Sequence, residues 1–139
     1  MNKEISTYLA KCGNCKQIFA HPSLGDFAYG EIIFCSIDGQ QYTHASAFSE
    51  FAQKISRLMP DNSSDFWDVI ASLVDSIEDR KYSPHIHCLF CSSDNIEFWE
   101  GERIGVMNVS EASFLAAAAL PEHELKLLVA QICECINNK

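Results

Sequence analysis

Two short stretches decide how this chain is read: Tyr8-Leu-Ala-Lys-Cys12-Gly-Asn-Cys15-Lys-Gln-Ile-Phe19 and Cys88-Leu-Phe-Cys91-Ser-Ser-Asp-Asn-Ile96-Glu-Phe98-Trp99. Each carries a Cys-x-x-Cys pair. A structural zinc ion takes four ligands in a tetrahedron, and a tight Cys-x-x-Cys turn delivers two thiolates to one ion. Two such half-sites complete the shell, so Cys12, Cys15, Cys88 and Cys91 are the expected ligands of one structural Zn2+. Gly13 suits a cramped turn because it has no Cβ.

Working outward, Tyr8 to Phe19 reads as two short strands around the first cysteine turn, and His21 to Asp26, with Pro22 and Gly25, as a loop. Tyr29 to Ile37 is rich in aromatic and β-branched residues and predicts a strand. Asp38-Gly39 predicts a hairpin turn into Gln41-Tyr42-Thr43. Two amphipathic helices follow. Phe48, Phe51, Ala52, Ile55, Leu58 and Met59 recur at spacings of three and four, with Ser46 or Thr43 as cap and Pro60 as stop. Phe66, Ile70, Leu73 and Ile77 then share a face, with Asp68, Asp75 and Asp79 opposite and Ser63 or Ser64 as cap. Ile96–Glu100 and Arg103–Val109 read as strands joined by a turn at Gly101. Ser110-Glu111 reads as the start of a short helix ending at Leu120, and Pro121 as the first residue of a final helix with the stripe Leu125, Leu128, Val129, Ile132 and Ile136. Strands and helices are partly segregated, which predicts an α+β fold.

The two quoted strings resemble the knuckles of zinc-ribbon domains, in which two β-hairpins clamp one zinc. The resemblance covers about 24 residues. It implies a closed structural site with no open coordination position. One departure is large: 72 residues separate Cys15 from Cys88. The chain is accordingly expected to be one domain over residues 1–139, with knuckles at 8–19 and 86–99 and residues 20–87 inserted between them.

His85 and His87 are rivals for a coordination place, since His-x-His-Cys packs donors tightly; either could replace a cysteine or contact a thiolate, but both are read as loop or strand histidines and left out of the ligand set. Cys35, Cys133 and Cys135 are read as small buried apolar residues. Seven cysteines are an odd number. No apolar leader precedes them, so a reducing, cytoplasmic setting and metal binding are favoured over disulfides. No run of apolar residues is long enough to span a membrane.

Enzymatic readings find little support. A redox dithiol needs its Cys-x-x-Cys at a helix start, whereas Cys12 and Cys15 lie between strand-like segments. A zinc deaminase needs a glutamate two residues after its histidine; His44-Ala45-Ser46 has serine there, and Pro84 is not adjacent to Cys88. Phosphate-binding and nucleophile-elbow motifs are missing. The chain is therefore expected not to be an enzyme.

Charge suggests a binding role. The formal net charge is −9, and residues 65–100 hold eight acids against Arg80 and Lys81. Such a surface repels nucleic acid and attracts a basic protein. Asp68, Asp75, Glu78 and Asp79 are the candidate partner-binding residues. Small acidic proteins that neutralise cationic toxins, as inhibitors or immunity proteins, share this size and charge. The alternative is association with nucleic acid in transcription or translation, through Lys11 and Lys16 with Tyr8 and Phe19 available to stack on bases. Those two lysines are a thin basic footprint.

Overall fold

The computed structural model describes residues 2–24, 30–59, 66–75 and 81–137. The fold is α+β, and among the described residues it comprises a seven-stranded sheet and four helices. The strands are β1 (Asn2–Cys12), β2 (Ile18–Pro22), β3 (Glu31–Ser36), β4 (Tyr42–Ser46), β5 (Tyr82–Ser83), β6 (Ile96–Phe98) and β7 (Arg103–Glu111). The helices are α1 (Glu50–Leu58), α2 (Phe66–Leu73), α3 (Leu115–Ala118) and α4 (Glu122–Asn137). The main path across the sheet is β2-β1-β7-β4-β3-β5, and β6 joins it through β1.

β1 organises the molecule. On one side, Thr7–Lys11 pairs antiparallel with Ile18–Pro22 of β2. On the other, Asn2–Tyr8 pairs antiparallel with β7, from Ser110 down to Arg103. The ladder does not stop there. Leu9 exchanges backbone hydrogen bonds with Glu102 and Gly101, Lys11 and Cys12 lie opposite Phe98 and Ile96, and the Gly13 N–H donates to the Asn95 carbonyl at 2.7 Å. The whole segment from Asn95 to Ser110 thus runs antiparallel along β1.

This arrangement corrects two expectations. Gly101 is not the turn of a β6–β7 hairpin, because its N–H donates to the Leu9 carbonyl and both flanking strands lie along β1. Ser110 and Glu111 do not open a helix. They extend β7 and pair in parallel with Thr43 and His44 of β4, while the Thr43 hydroxyl donates to the Ser110 carbonyl at 2.7 Å. That parallel contact ties the strands of the 20–87 segment into the same sheet as the knuckle strands. Two smaller differences concern ends. His21 and Pro22 belong to β2. The α1 cap is Ser49, whose hydroxyl accepts from the Ala52 N–H at 3.1 Å, while the proposed stop Pro60 and the caps Ser63 and Ser64 lie outside the described residues.

The main core lies between the β3–β4 pair and the helices: Phe34 and Ala45 face Ile55 of α1, Val69 and Ile70 of α2, and Leu125, Val129 and Cys133 of α4. Cys133 is buried as expected, one turn beyond Val129, but Cys135 faces solvent, because a residue two positions on points off the buried stripe. Alternation in β3 turns Cys35 away from Phe34 and toward the second knuckle, where its thiol lies 4.0 Å from the His87 carbonyl. A second, much smaller core holds Ala10, Cys12, Phe19 and Cys88, with Cys15, Ile86 and Ile96 at its edge.

Two polar residues inside this frame give testable consequences. His21 is 5% exposed, stands edge-on to Tyr42 with ring centroids 5.2 Å apart, and has no hydrogen-bond partner for Nδ1. Burial lowers its pKa to about 4. The folded protein therefore resists a proton that the unfolded chain accepts near pH 6.5, so stability is full above that pH and falls as pH drops toward 4. At pH 5 the penalty is about 2 kcal/mol. Unfolding free energies from urea titrations at pH 7 and pH 5 check this: the difference between them should shrink by that amount in His21→Phe.

Asp75 was expected on an exposed helical face. Helix α2 ends at Leu73, and Asp75 instead caps α3. Its carboxylate accepts from the Ser113 hydroxyl at 2.6 Å and from the Leu115 and Ala116 N–H groups at 2.7 and 3.0 Å. Desolvation raises its pKa, but these three bonds outweigh that and hold the carboxyl below its ordinary range. Asp75→Ala should lower stability by about 1–2 kcal/mol in denaturant unfolding at neutral pH.

Candidate metal centre

The ladder along β1 explains why cysteines far apart in sequence meet. Cys12 ends β1, and its register opposite Ile96, extended by the Gly13–Asn95 hydrogen bond, brings the chain just downstream of Cys91 alongside the first turn. The sulfurs of Cys12, Cys15, Cys88 and Cys91 all lie within 4.8 Å of one another. Two contacts cross between the turns: Cys12 Sγ to Cys91 Sγ and Cys15 Sγ to Cys88 Sγ are each 3.6 Å. This is the one cluster of metal-ligating side chains among the described residues, and it can hold a metal ion.

The two turns have the same internal construction. In the first, Cys12 N–H donates to the Gln17 carbonyl and Lys16 N–H to the Cys12 carbonyl; in the second, Cys88 N–H donates to Ser93 and Ser92 N–H to Cys88. The residue after each second cysteine is left-handed, with φ 66° at both Lys16 and Ser92. N–H groups point at the leading sulfur of each turn: Asn14 at 3.3 Å and Cys15 at 3.4 Å on Cys12, and Phe90 at 3.3 Å on Cys88. Amide donors aimed at sulfur stabilise thiolate, the form that binds metal. Nothing in the residue identities of Lys16 or Ser92 announces the shared left-handed geometry, which only becomes visible in the folded turns.

The electrostatics follow. Desolvation raises the Cys12 thiol, but the N–H groups of Cys15 and Asn14 and the Cys91 sulfur outweigh it and bring it down to about 6. At Cys15 a backbone hydrogen bond involving Gln17 pulls downward, yet desolvation and the neighbouring sulfurs push the thiol up to about 12. Four thiolates packed this closely repel one another, and a cation among them removes that cost. Cys12 and Cys88 are fully buried, Cys15 is partly buried and Cys91 is exposed.

His85 and His87 stay outside the sulfur cluster. His87 is buried, and its Nδ1 lies 3.1 Å from the Ser92 carbonyl, within the second turn. His85 is exposed, with Nε2 4.0 Å from Asp68. The residues that support the site and that sequence reading missed are Asn95, Gly39 and Gln40. Asn95 anchors Gly13. Gly39 at the tip of the β3–β4 hairpin has φ +74°, and a Cβ there would sit 2.4 Å from the Cys88 carbonyl oxygen. Gln40 Nε2 donates to the Leu89 carbonyl at 2.9 Å. Asp38-Gly39 is legible as a turn, but no local signal says that the turn lies against residue 88.

The expected lysines lie elsewhere in the charge pattern. Lys11 and Lys16 both approach Glu97, at 3.3 and 3.5 Å. Of the candidate acids, Asp68 lies on α2 near His85, Asp75 caps α3, and Glu78 and Asp79 lie outside the described residues. Among the described residues, no helix is long and apolar enough to cross a membrane. Comparison with protein-family models, with curated proteins and with solved structures returned no match.

Proposed function

We propose that the four cysteines hold a single zinc ion as a structural centre, and that the chain works as a zinc-stabilised, non-enzymatic protein that binds a basic partner protein, in the manner of an acidic inhibitor or immunity factor. The observation that carries the metal assignment is the pair of 3.6 Å cross-turn sulfur contacts. Zinc–thiolate bonds of about 2.3 Å in a tetrahedron place sulfurs about 3.8 Å apart, so four thiolates already stand near the spacing that zinc requires. An all-sulfur tetrahedron suits zinc or iron, and zinc adds no redox chemistry. Four protein ligands leave no open position for substrate, which supports a structural role.

A redox dithiol is less well supported. Neither Cys-x-x-Cys begins a helix, and the sulfurs of each pair also lie against those of the other, at 3.6 Å. The nucleic-acid reading also loses support, because Lys11 and Lys16 share the carboxylate of Glu97. A basic partner is favoured by the net charge of −9. The test is a pull-down with the zinc-loaded chain at low and high salt. A basic protein should be retained at low salt and released at high salt. Retention of nothing, or of a partner indifferent to salt, contradicts the reading, and salt-sensitive retention of nucleic acid would replace it.

A further inference from the structure

Beside the second knuckle, between α2, β5 and the end of α4, lies a cavity of about 710 Å3. Its floor is apolar, with Ala71, Val74 and Ile136, and two carboxylates, Asp68 and Asp94, lie among its lining residues. His87 lines it too. A carbonyl only accepts, so the contact with Ser92 fixes the proton on Nδ1 and leaves Nε2 as an acceptor. That nitrogen is buried, in a residue 9% exposed, and has no hydrogen-bond partner. Out of reach of solvent, it is not presented to an occupant of the cavity, which meets the two carboxylates instead.

We infer that this cavity receives an arginine side chain of the basic partner, with the carboxylates of Asp68 and Asp94 as acceptors for the guanidinium and the apolar lining as the bed for its methylene stem. The inference rests on the reading of the chain as a binder of a basic protein, and names where that partner enters. Chemistry selects this occupant. An anion would meet two carboxylates, with Lys81 as the one lysine or arginine among the described lining residues. A metal ion is disfavoured because the lining carboxylates and imidazoles do not converge: the one converging set among the described residues is the four cysteines. A purely apolar group would leave the acceptors unpaired. A guanidinium offers five N–H donors in a planar fork and carries an apolar stem.

The experiment is an NMR titration of the zinc-loaded full chain with N-acetyl-arginine amide, against the lysine and citrulline amides. Arginine amide should shift the amides of Asp68, Ala71 and Asp94, citrulline amide should not, and lysine amide should bind more weakly. Asp68→Asn and Asp94→Asn should each weaken arginine binding about tenfold, with zinc content unchanged. Shifts absent from the cavity, equal responses to citrulline or lysine, or undiminished binding by both variants would overturn the assignment. The pull-down separates this from the broader reading. A basic protein retained equally by the wild type and the double variant removes the cavity and leaves the reading standing. Arginine amide binding without any basic protein retained keeps the cavity and removes the reading.

Discussion

Stripping the metal with a strong chelator should collapse the knuckle end of the molecule, and Cys88→Ser should do nearly the same. The small core around Cys12 and Cys88 contains only Ala10 and Phe19 besides the two cysteines as fully buried apolar residues. So small a cluster buries little apolar surface, and a cross-link through a bound ion would replace what packing does not supply. Apparent zinc-binding free energies in small domains are about 10–16 kcal/mol, and this is folding free energy because the unfolded chain has no assembled site. Loss of one ligand should cost several kcal/mol, read as a fall of well over 10 °C in melting temperature. Cys35→Ser is the matched control. It is equally buried, at 1% exposed, but lies outside the cluster, and should cost about 1–2 kcal/mol. Calorimetry with and without chelator checks both. Equal melting temperatures in the two conditions would contradict a structural ion.

Gly39→Ala should be strongly damaging although it lies outside the cysteine cluster. Two independent costs meet there. The backbone is left-handed, which a Cβ disfavours, and the added carbon would sit 2.4 Å from the Cys88 carbonyl oxygen and 2.9 Å from that of His87. Those atoms are backbone of the ligand turn, so relief requires the hairpin tip or the knuckle to move. The expected cost is about 3–4 kcal/mol, with a matching loss of zinc affinity because the displaced carbonyl belongs to a ligand. Gly105→Ala is the control, since a Cβ there meets nothing closer than Thr7 Oγ1 at 3.6 Å. Competitive zinc titration and urea unfolding of both variants test this. A Gly39→Ala protein with wild-type zinc affinity would show that the hairpin does not buttress the site.

The parts of this fold legible in the sequence were those encoded locally. The turn chemistry of the two cysteine pairs, the stripe of α4 and the apolar period of α1 are all read within a few residues. The parts that were hidden depend on distant pairing. Asn2–Thr7 looks polar and undistinguished, yet Ile5 and Thr7 are buried in the sheet, Ile5 paired with Met107 of β7 and Thr7 held between Gly105 of β7 and Pro22 of β2. Ser110-Glu111 has the look of a helix start, but the neighbouring strands β1 and β4 hold it extended. Gly101 has the look of a hairpin turn, and the Leu9 backbone overrules it. The same distinction runs through the site. Four sulfurs were readable from spacing; their support by Gly39, Gln40 and Asn95 was not, because each acts through backbone contacts across the fold. Likewise the acidity around α2 was plain, whereas the capture of Asp75 by the N-terminus of α3 was not.

X-ray absorption at the zinc edge, on protein expressed with zinc and freed of loosely bound metal, addresses the central assignment most directly. One ion per chain with a single shell of four sulfurs at about 2.3 Å is the expected result. A protein that retains no metal, or a shell containing nitrogen or oxygen, would contradict it.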